Sequence, residues 1–253
     1  MKVLVQQVYA SLGFLSEDFS KDAEDDRDFI ENICIPSAQR YAKVNGYDYH
    51  LETSVPDIIH KLAKQKVRVD GHTIHVNMRM TYIKYLMLEK YKEYDYILLL
   101  DVDTIVTEST PPLPLSEGVT TGPIDWPIVA DLHYKEKSNR IVYANAGFYL
   151  FDASSAKVMY KFVKKKINYY ISHDIVDYKD EKELAQMMNE NLDIPHNELQ
   201  HRWNHWGSLF SGESGYVPPC YIYHFLGKRK SFRFNEIVKE GWLDNKGNWI
   251  DKQ

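Results

Sequence analysis

Two carboxylates one residue apart, Asp101 and Asp103, follow directly on the uncharged run Ile97-Leu98-Leu99-Leu100. Alternate side chains of an extended backbone point the same way, so both acids face one side while Val102 turns back into the core. Adjacent carboxylates that shared no cation would repel and lose solvation, which makes a bound divalent ion their natural chemistry. Taken alone, a D-x-D triplet is more commonly an acidic loop capping the next element, and the rest of the chain has to decide. A cation held by the protein needs a third ligand, and His224, closing the aromatic run Tyr221-Ile222-Tyr223, is the best candidate. Mixed carboxylate and imidazole ligation favours Mn²⁺ over Ca²⁺. Gly227 permits close backbone approach and Lys230 offers a point charge for phosphate, three and six residues beyond the histidine. Cation, glycine and lysine together suit a pyrophosphate.

The elements that must position these groups follow from patterning. Four aliphatics without a charge read as a strand buried on both faces, as in an open α/β sheet, where ligands bind at strand carboxyl ends. Val3 to Val8 reads as the first strand, and the loop it feeds, beginning Val8-Tyr9-Ala10, sits where such folds contact a nucleotide. Seven acids between Glu17 and Asp28 lead into helical spacing through Ala42 and read as solvated helix-start charges. Pro36 should kink or divide that helix, Asn45-Gly46 should close it, and Tyr47-Tyr49-Leu51 should form a second strand. Residues from Pro56 to His75 read as a helix-loop excursion with surface histidines. Met80 to Tyr94 reads as one helix, carrying Tyr82 and Lys84 early and delivering the chain into the buried strand. Thr104 to Val106 should continue briefly extended, and Pro111 to Pro114 should be a stiff loop. Strands are expected at Pro127 to Asp131 and, after the small-residue turn Asn145-Ala146-Gly147, at Phe148 to Phe151. Asn145 offers an amide to a hydroxyl-rich ligand. Helices follow from Ser155 to Tyr170 and from Asp180-Glu181, and Phe232 onward shows no repeat or bias.

Bulk composition narrows the classes. With 253 residues and 44% hydrophobic content, the chain can bury a sizeable core without staples. A net charge of -5 sets up no basic field for nucleic acid, and no zinc-finger or ribonucleoprotein-type motif occurs. Cys34 and Cys220 form neither a disulfide framework nor a metal-ligand spacing, which fits a reducing compartment. The apolar run Met1 to Val5 is too short for a signal peptide or membrane anchor, so a cytoplasmic location is expected. The lysine-rich helix from Ser155 could make peripheral contact with an anionic membrane, although a solvated face is the commoner meaning.

The ordered set Tyr82-Ile83-Lys84, Asp101-Val102-Asp103, Asp131, Asn145-Ala146-Gly147, Asp180-Glu181, Arg202-Trp203-Asn204 and His224-x-x-Gly227-x-x-Lys230 resembles the GT-A glycosyltransferases of family 8. That family includes glycogenin and bacterial lipooligosaccharide galactosyltransferases. Family 34 is similar at Tyr41-Ala42 and Asn45-Gly46-Tyr47-Asp48. The resemblance covers about residues 1 to 232 and implies a single GT-A domain, with a nucleotide-binding half to about residue 105 and a donor-sugar and acceptor half to 253. The implied fold is a mixed, mostly parallel central sheet flanked by helices. The implied activity is metal-dependent transfer of a hexose or pentose from a UDP-sugar to a hydroxyl of a glycan, or of a glycosylated protein or lipid, with retention at the anomeric carbon. By the same resemblance Asp101, Asp103 and His224 hold Mn²⁺ or Mg²⁺, and Gly227 and Lys230 meet the pyrophosphate. Tyr82 and Lys84 approach the nucleotide, while Asp131, Asn145, Ala146, Asp180 and Glu181 surround the donor sugar. Asp180 would steady an oxocarbenium-like centre. Two departures stand out: Glu181 replaces the family's usual glutamine, and Lys230-Ser231-Phe232 replaces Lys-Pro-Trp. A non-catalytic carbohydrate-binding scaffold and a nucleotidyltransferase are the alternatives on the same residues.

Overall fold

A computed structural model describes residues 1–10, 21–63, 68–69, 72–73, 81–122, 144–173, 180–206, 219–225 and 229–250. Strand β1 (Val3–Val8) lies between β2 (Asp48–Glu52) and β5 (Tyr96–Leu100), parallel to both. On the other side of β5 runs β8 (Phe148–Asp152), antiparallel, then β7 (Val119–Thr121) and finally β9 (His196–Glu198), giving the order β2-β1-β5-β8-β7-β9. A second sheet joins β10 (His205–Trp206), β11 (Ile222–His224) and β6 (Thr104–Val106), with β11 antiparallel to β6. The short ladder of β3 (Arg68–Val69) and β4 (His72–Thr73) forms a separate two-stranded sheet, whereas helix α3 (Asp57–Ala63) before it buries Ile59 and Leu62 in the core.

Alternation in β5 divides the core. Ile97 and Leu99 join one cluster with Tyr149 and Phe151, whereas Leu98 and Leu100 join another with Phe148 and Leu150. The first cluster is covered by α4 (Thr81–Leu86), α5 (Ala153–His173) and α6 (Asp180–Glu190), through Ile83, Met159, Val163, Ile167, Leu184, Met187 and Met188. The second packs on Ala38, Tyr41 and Ala42 of α2 (Ile35–Asn45). The four β5 aliphatics are at most 2% exposed, each contributing about 1.5–3 kcal/mol of burial. A third cluster fills the space between the small sheet and α1 (Lys21–Phe29), with Phe29, Ile30, Tyr223 and Phe225 meeting Phe234 and Ile237.

Most of the anticipated elements are present, and the departures have local causes. The helix divides just before Pro36: a π-helical stretch, Ile30–Cys34, separates α1 from α2, whose first turn contains the proline. Proline has no N–H to give to an i−4 carbonyl, so the register break falls beside it. Gly46 closes α2 with φ 68°, and its N–H reaches the carbonyls of Ala42 and Lys43. The helix expected from Met80 to Tyr94 is shorter: α4 ends at Leu86 and tightens into a 3₁₀ turn at Met87–Glu89 before the chain enters β5. β3, β4, β7, β9, β10 and α7 (Lys230–Lys239) were not expected. Phe234, Ile237 and Val238 do carry helical spacing, but α7 is secured from far away, by Asp26 of α1 accepting the Ser231 N–H at 2.8 Å. The acids before residue 29 are thus not all solvated capping charges. The strand expected at Pro127 to Asp131 lies outside the described residues.

Candidate metal and diphosphate site

β5 delivers Asp101 to the carboxyl edge of the main sheet, and a turn of two residues then starts β6. That turn is held from three sides. Gln7 of β1 donates its amide to the Asp101 carbonyl at 3.0 Å, Thr104 Oγ1 donates to the same oxygen at 2.6 Å, and the Asp101 N–H reaches the Gly147 carbonyl at 3.3 Å. Gln7 is itself fixed by the Tyr49 hydroxyl, which donates to its Oε1 at 2.8 Å. Register between β6 and β11 sets His224 opposite Thr104, and the Phe225 N–H donates to the Asp103 carbonyl at 2.9 Å. Residues far apart in sequence are thereby brought to one point.

The ligating atoms of Asp101, Asp103 and His224 all lie within 4.8 Å of one another. His224 Nε2 is 3.1 Å from Asp103 Oδ1 and 3.7 Å from Asp101 Oδ2. Each carboxylate turns its other oxygen to a lysine: Lys84 Nζ lies 3.1 Å from Asp101 Oδ1, and Lys230 Nζ lies 2.7 Å from Asp103 Oδ2. Lys84 also donates to the Ala146 carbonyl at 3.3 Å and Lys230 to that of Phe225 at 2.9 Å. Burial raises the Asp103 carboxyl's affinity for its proton, but His224 and Lys230 outweigh it and hold the group well below the usual carboxylate range.

The donor set fits a divalent ion on an argument internal to the imidazole. Asn145 Oδ1 accepts the Gly147 N–H at 2.9 Å, which identifies that atom as oxygen, and His224 Nδ1 lies 2.7 Å from it. Nδ1 must therefore be the donor, and Nε2 faces the two carboxylates. Such an arrangement is repulsive unless a proton or a metal cation sits between the three. Adjacent ligands bound at about 2.1 Å to one ion are themselves about 3 Å apart, which the His224–Asp103 pair matches at 3.1 Å and the His224–Asp101 pair exceeds at 3.7 Å.

A cavity of about 250 Å³ opens over this cluster, lined by Val8, Ala10, Ile30, Lys84, Val102 and Lys230 with the two aspartates. Tyr9, between two of its lining residues, turns its hydroxyl to Glu31 at 2.8 Å, where burial and that carboxylate push its pKa up to about 12. Tyr82 is buried in the core cluster under the sheet and is not among the lining residues. Asn145 and Ala146 are buried beside the cluster, at 7% and 4% exposure. Asp180 and Glu181 open α6, with side chains outside the described residues, and Asp131 and Gly227 lie outside them altogether. Sequence reasoning missed Gln7, Ile30 and the packing of Asn204 on Asn145. A pair of adjacent amides in an otherwise apolar strand, Gln6-Gln7, was the available signal for the first. No helix among the described residues is long and apolar enough to cross a membrane.

No protein-family model and no curated protein matches the sequence. Solved structures do match in three dimensions. The galactosyltransferase LgtC in complex with donor and acceptor sugar analogs is 16% identical, with 96% of each chain covered and a TM-score of 0.56. An active-site glutamine-to-glutamate mutant of LgtC is 16% identical over 93% of this chain and 95% of that one, TM-score 0.54. A glycosyltransferase involved in glycosylation of the major capsid of PBCV-1 is 14% identical over 94% of this chain and 100% of that one, TM-score 0.51. At such identities the shared property is the fold. The mixed central sheet flanked by helices is the GT-A glycosyltransferase fold, in a form that resembles the family 8 enzymes.

Proposed function

We propose that this chain is a glycosyltransferase that moves a sugar from a UDP-sugar to a hydroxyl of a glycan acceptor, with retention of anomeric configuration and with Mn²⁺ held by Asp101, Asp103 and His224. The observation that carries the reading is the convergence of those three residues beneath a cavity that the two aspartates line together with Lys84 and Lys230. A bound divalent ion would supply Lewis-acid stabilisation of charge developing on the departing diphosphate. The chain's own residues account for the rest. Lys84 and Lys230 are cations already held at the cavity wall, so a diphosphate entering there would exchange lysine–carboxylate contacts for lysine–phosphate ones. Val8, Ala10 and Ile30 supply an apolar wall that would exclude water from one side of the nucleotide. For a retaining transfer, the leaving phosphate oxygen takes the acceptor proton on the same face, and no protein base is needed. Asp180 would steady the positive anomeric centre, and Asp131, Asn145 and Glu181 would read sugar hydroxyls.

A UDP-release assay over a panel of UDP-sugars with Mn²⁺ tests this. Release by the parent chain and its loss in Asp103→Ala supports the reading, and proton NMR of the product fixes its anomeric configuration. Pyrophosphate release from a nucleoside triphosphate would replace it with nucleotidyl transfer. Sugar binding independent of Mn²⁺, with no UDP released, would replace it with a scaffold.

A further inference from the structure

Resting on the cation-site reading above, we infer that Asn145 and Asn204 form a positioning clamp for His224, fixing which imidazole nitrogen faces the cation and where it points. Three donors converge on Asn145 Oδ1: the Gly147 N–H at 2.9 Å, Asn204 Nδ2 at 3.2 Å and His224 Nδ1 at 2.7 Å. Asn204 Nδ2 also reaches the Asn145 carbonyl at 3.3 Å. All three side chains are nearly shut off from solvent, with His224 at 1%, Asn204 at 2% and Asn145 at 7% exposure. In such surroundings an unmatched polar atom is costly, so the bonds that do form dictate orientation.

The chain of constraint runs in one direction. The Gly147 backbone fixes which end of the Asn145 amide faces inward. Asn204 then pins that amide from the opposite side, and the only hydrogen bond left for His224 Nδ1 is one it donates. Nε2 is left to the carboxylates. Asn204 is held in turn by lack of space, since a methyl group on Gly122 would lie 2.6 Å from its Cβ and one on Gly147 would lie 2.8 Å from its Oδ1. Asn145 Oδ1 is consequently committed to the protein, whereas its Nδ2 makes no hydrogen bond among the described residues. A donor sugar could draw on that NH₂ group alone.

Residues that hold a histidine ligand by its far nitrogen typically change metal affinity by about 10–100-fold when removed. The test is titration with Mn²⁺ alone, followed by the EPR signal of the free ion, on Asn145→Ala, Asn145→Asp and Asn204→Ala, each alone and combined with His224→Ala. Asn145→Ala is expected to weaken binding about 10–100-fold, and Asn204→Ala to a smaller extent. Asn145→Asp, which keeps an acceptor oxygen in place, should restore parental affinity. In the His224→Ala background neither alanine change should cost anything further, because the clamp acts only through the ring. Parental Mn²⁺ affinity in folded Asn145→Ala and Asn204→Ala, or equal losses with and without His224, would overturn the clamp. If Asn145→Ala does not fold, Asn204→Ala and Asn145→Asp carry the test. A parent chain that leaves Mn²⁺ free would instead defeat the cation reading. The ¹⁵N shifts of the His224 ring then still decide the clamp: it stands if Nδ1 carries the proton in the parent and the tautomers mix in Asn204→Ala, and it falls if the two spectra agree.

Discussion

Gly147→Ala is the sharpest probe of how tightly the site is built. The added Cβ would lie 2.2 Å from His224 Nδ1, 2.7 Å from its Cε1 and 2.8 Å from Asn204 Oδ1. An ordinary contact is about 3.4 Å, so the ring must retreat by about 1.2 Å or the β8 backbone must move. His224 cannot retreat cheaply, because it is 1% exposed and anchored at 2.7 Å to Asn145. Overpacking of this kind costs about 1–3 kcal/mol, and stretching a buried hydrogen bond adds about 1–2 kcal/mol. A total of about 2–5 kcal/mol corresponds to a fall in Tm of about 5–15 °C for a chain of this size. Displacing the ligand nitrogen should also weaken Mn²⁺ binding by about tenfold or more. Thermal unfolding by circular dichroism and Mn²⁺ titration read the two effects separately. An alanine variant with parental Tm and parental Mn²⁺ affinity would refute the reasoning outright.

Ser37→Ala should destabilise the chain by about 1–3 kcal/mol in urea unfolding, since the buried Ser37 hydroxyl donates to the Cys34 carbonyl at 2.7 Å and accepts the Val106 N–H at 2.9 Å; an unchanged midpoint would count against that account. Glu52 is buried, yet its bonds from Ser54 and Lys90 lower its pKa to about 2. A depressed carboxylate stabilises the fold above its unfolded pKa and loses that contribution as pH falls through the folded value. Stability should therefore drop between about pH 4.5 and pH 2 by up to about 3 kcal/mol, and Glu52→Gln should flatten the fall. Cys34 and Cys220 are 0% and 2% exposed, and burial pushes the Cys220 thiol up to about 12, so neither should react with a thiol reagent at pH 8 until the chain is unfolded.

Local patterning was enough for the elements that touch the site from the sheet. β1, β2, β5 and β8 declare themselves through short apolar or alternating runs, and Gly46 through its cap. What patterning could not supply was pairing. Nothing near residue 224 says that it will lie opposite Thr104, nor that β8 will run antiparallel to β5, because register is settled by contacts between distant segments. The same holds for Asn145, which reads from its neighbours as a group facing a ligand, whereas three buried donors draw its oxygen inward. α4 illustrates the opposite limit: its apolar spacing continues through Tyr91, yet the chain must tighten after Leu86 to reach the start of β5.

The antiparallel match of β6 with β11 also has a consequence in time. Asp103 and the Lys230 that pairs with it are 127 residues apart in sequence. At a synthesis rate of about 5–20 residues per second, the two aspartates leave the ribosome about 6–25 seconds before their histidine and second lysine do. For that interval Lys84, made earlier, is the one basic partner of the site already in hand for Asp101. The nascent chain therefore passes through a stage in which the paired acids are exposed without an imidazole to share an ion, and any divalent cation met then is held by two carboxylates alone. On the proposed cation reading, a third ligand becomes available only when β11 arrives and brings His224.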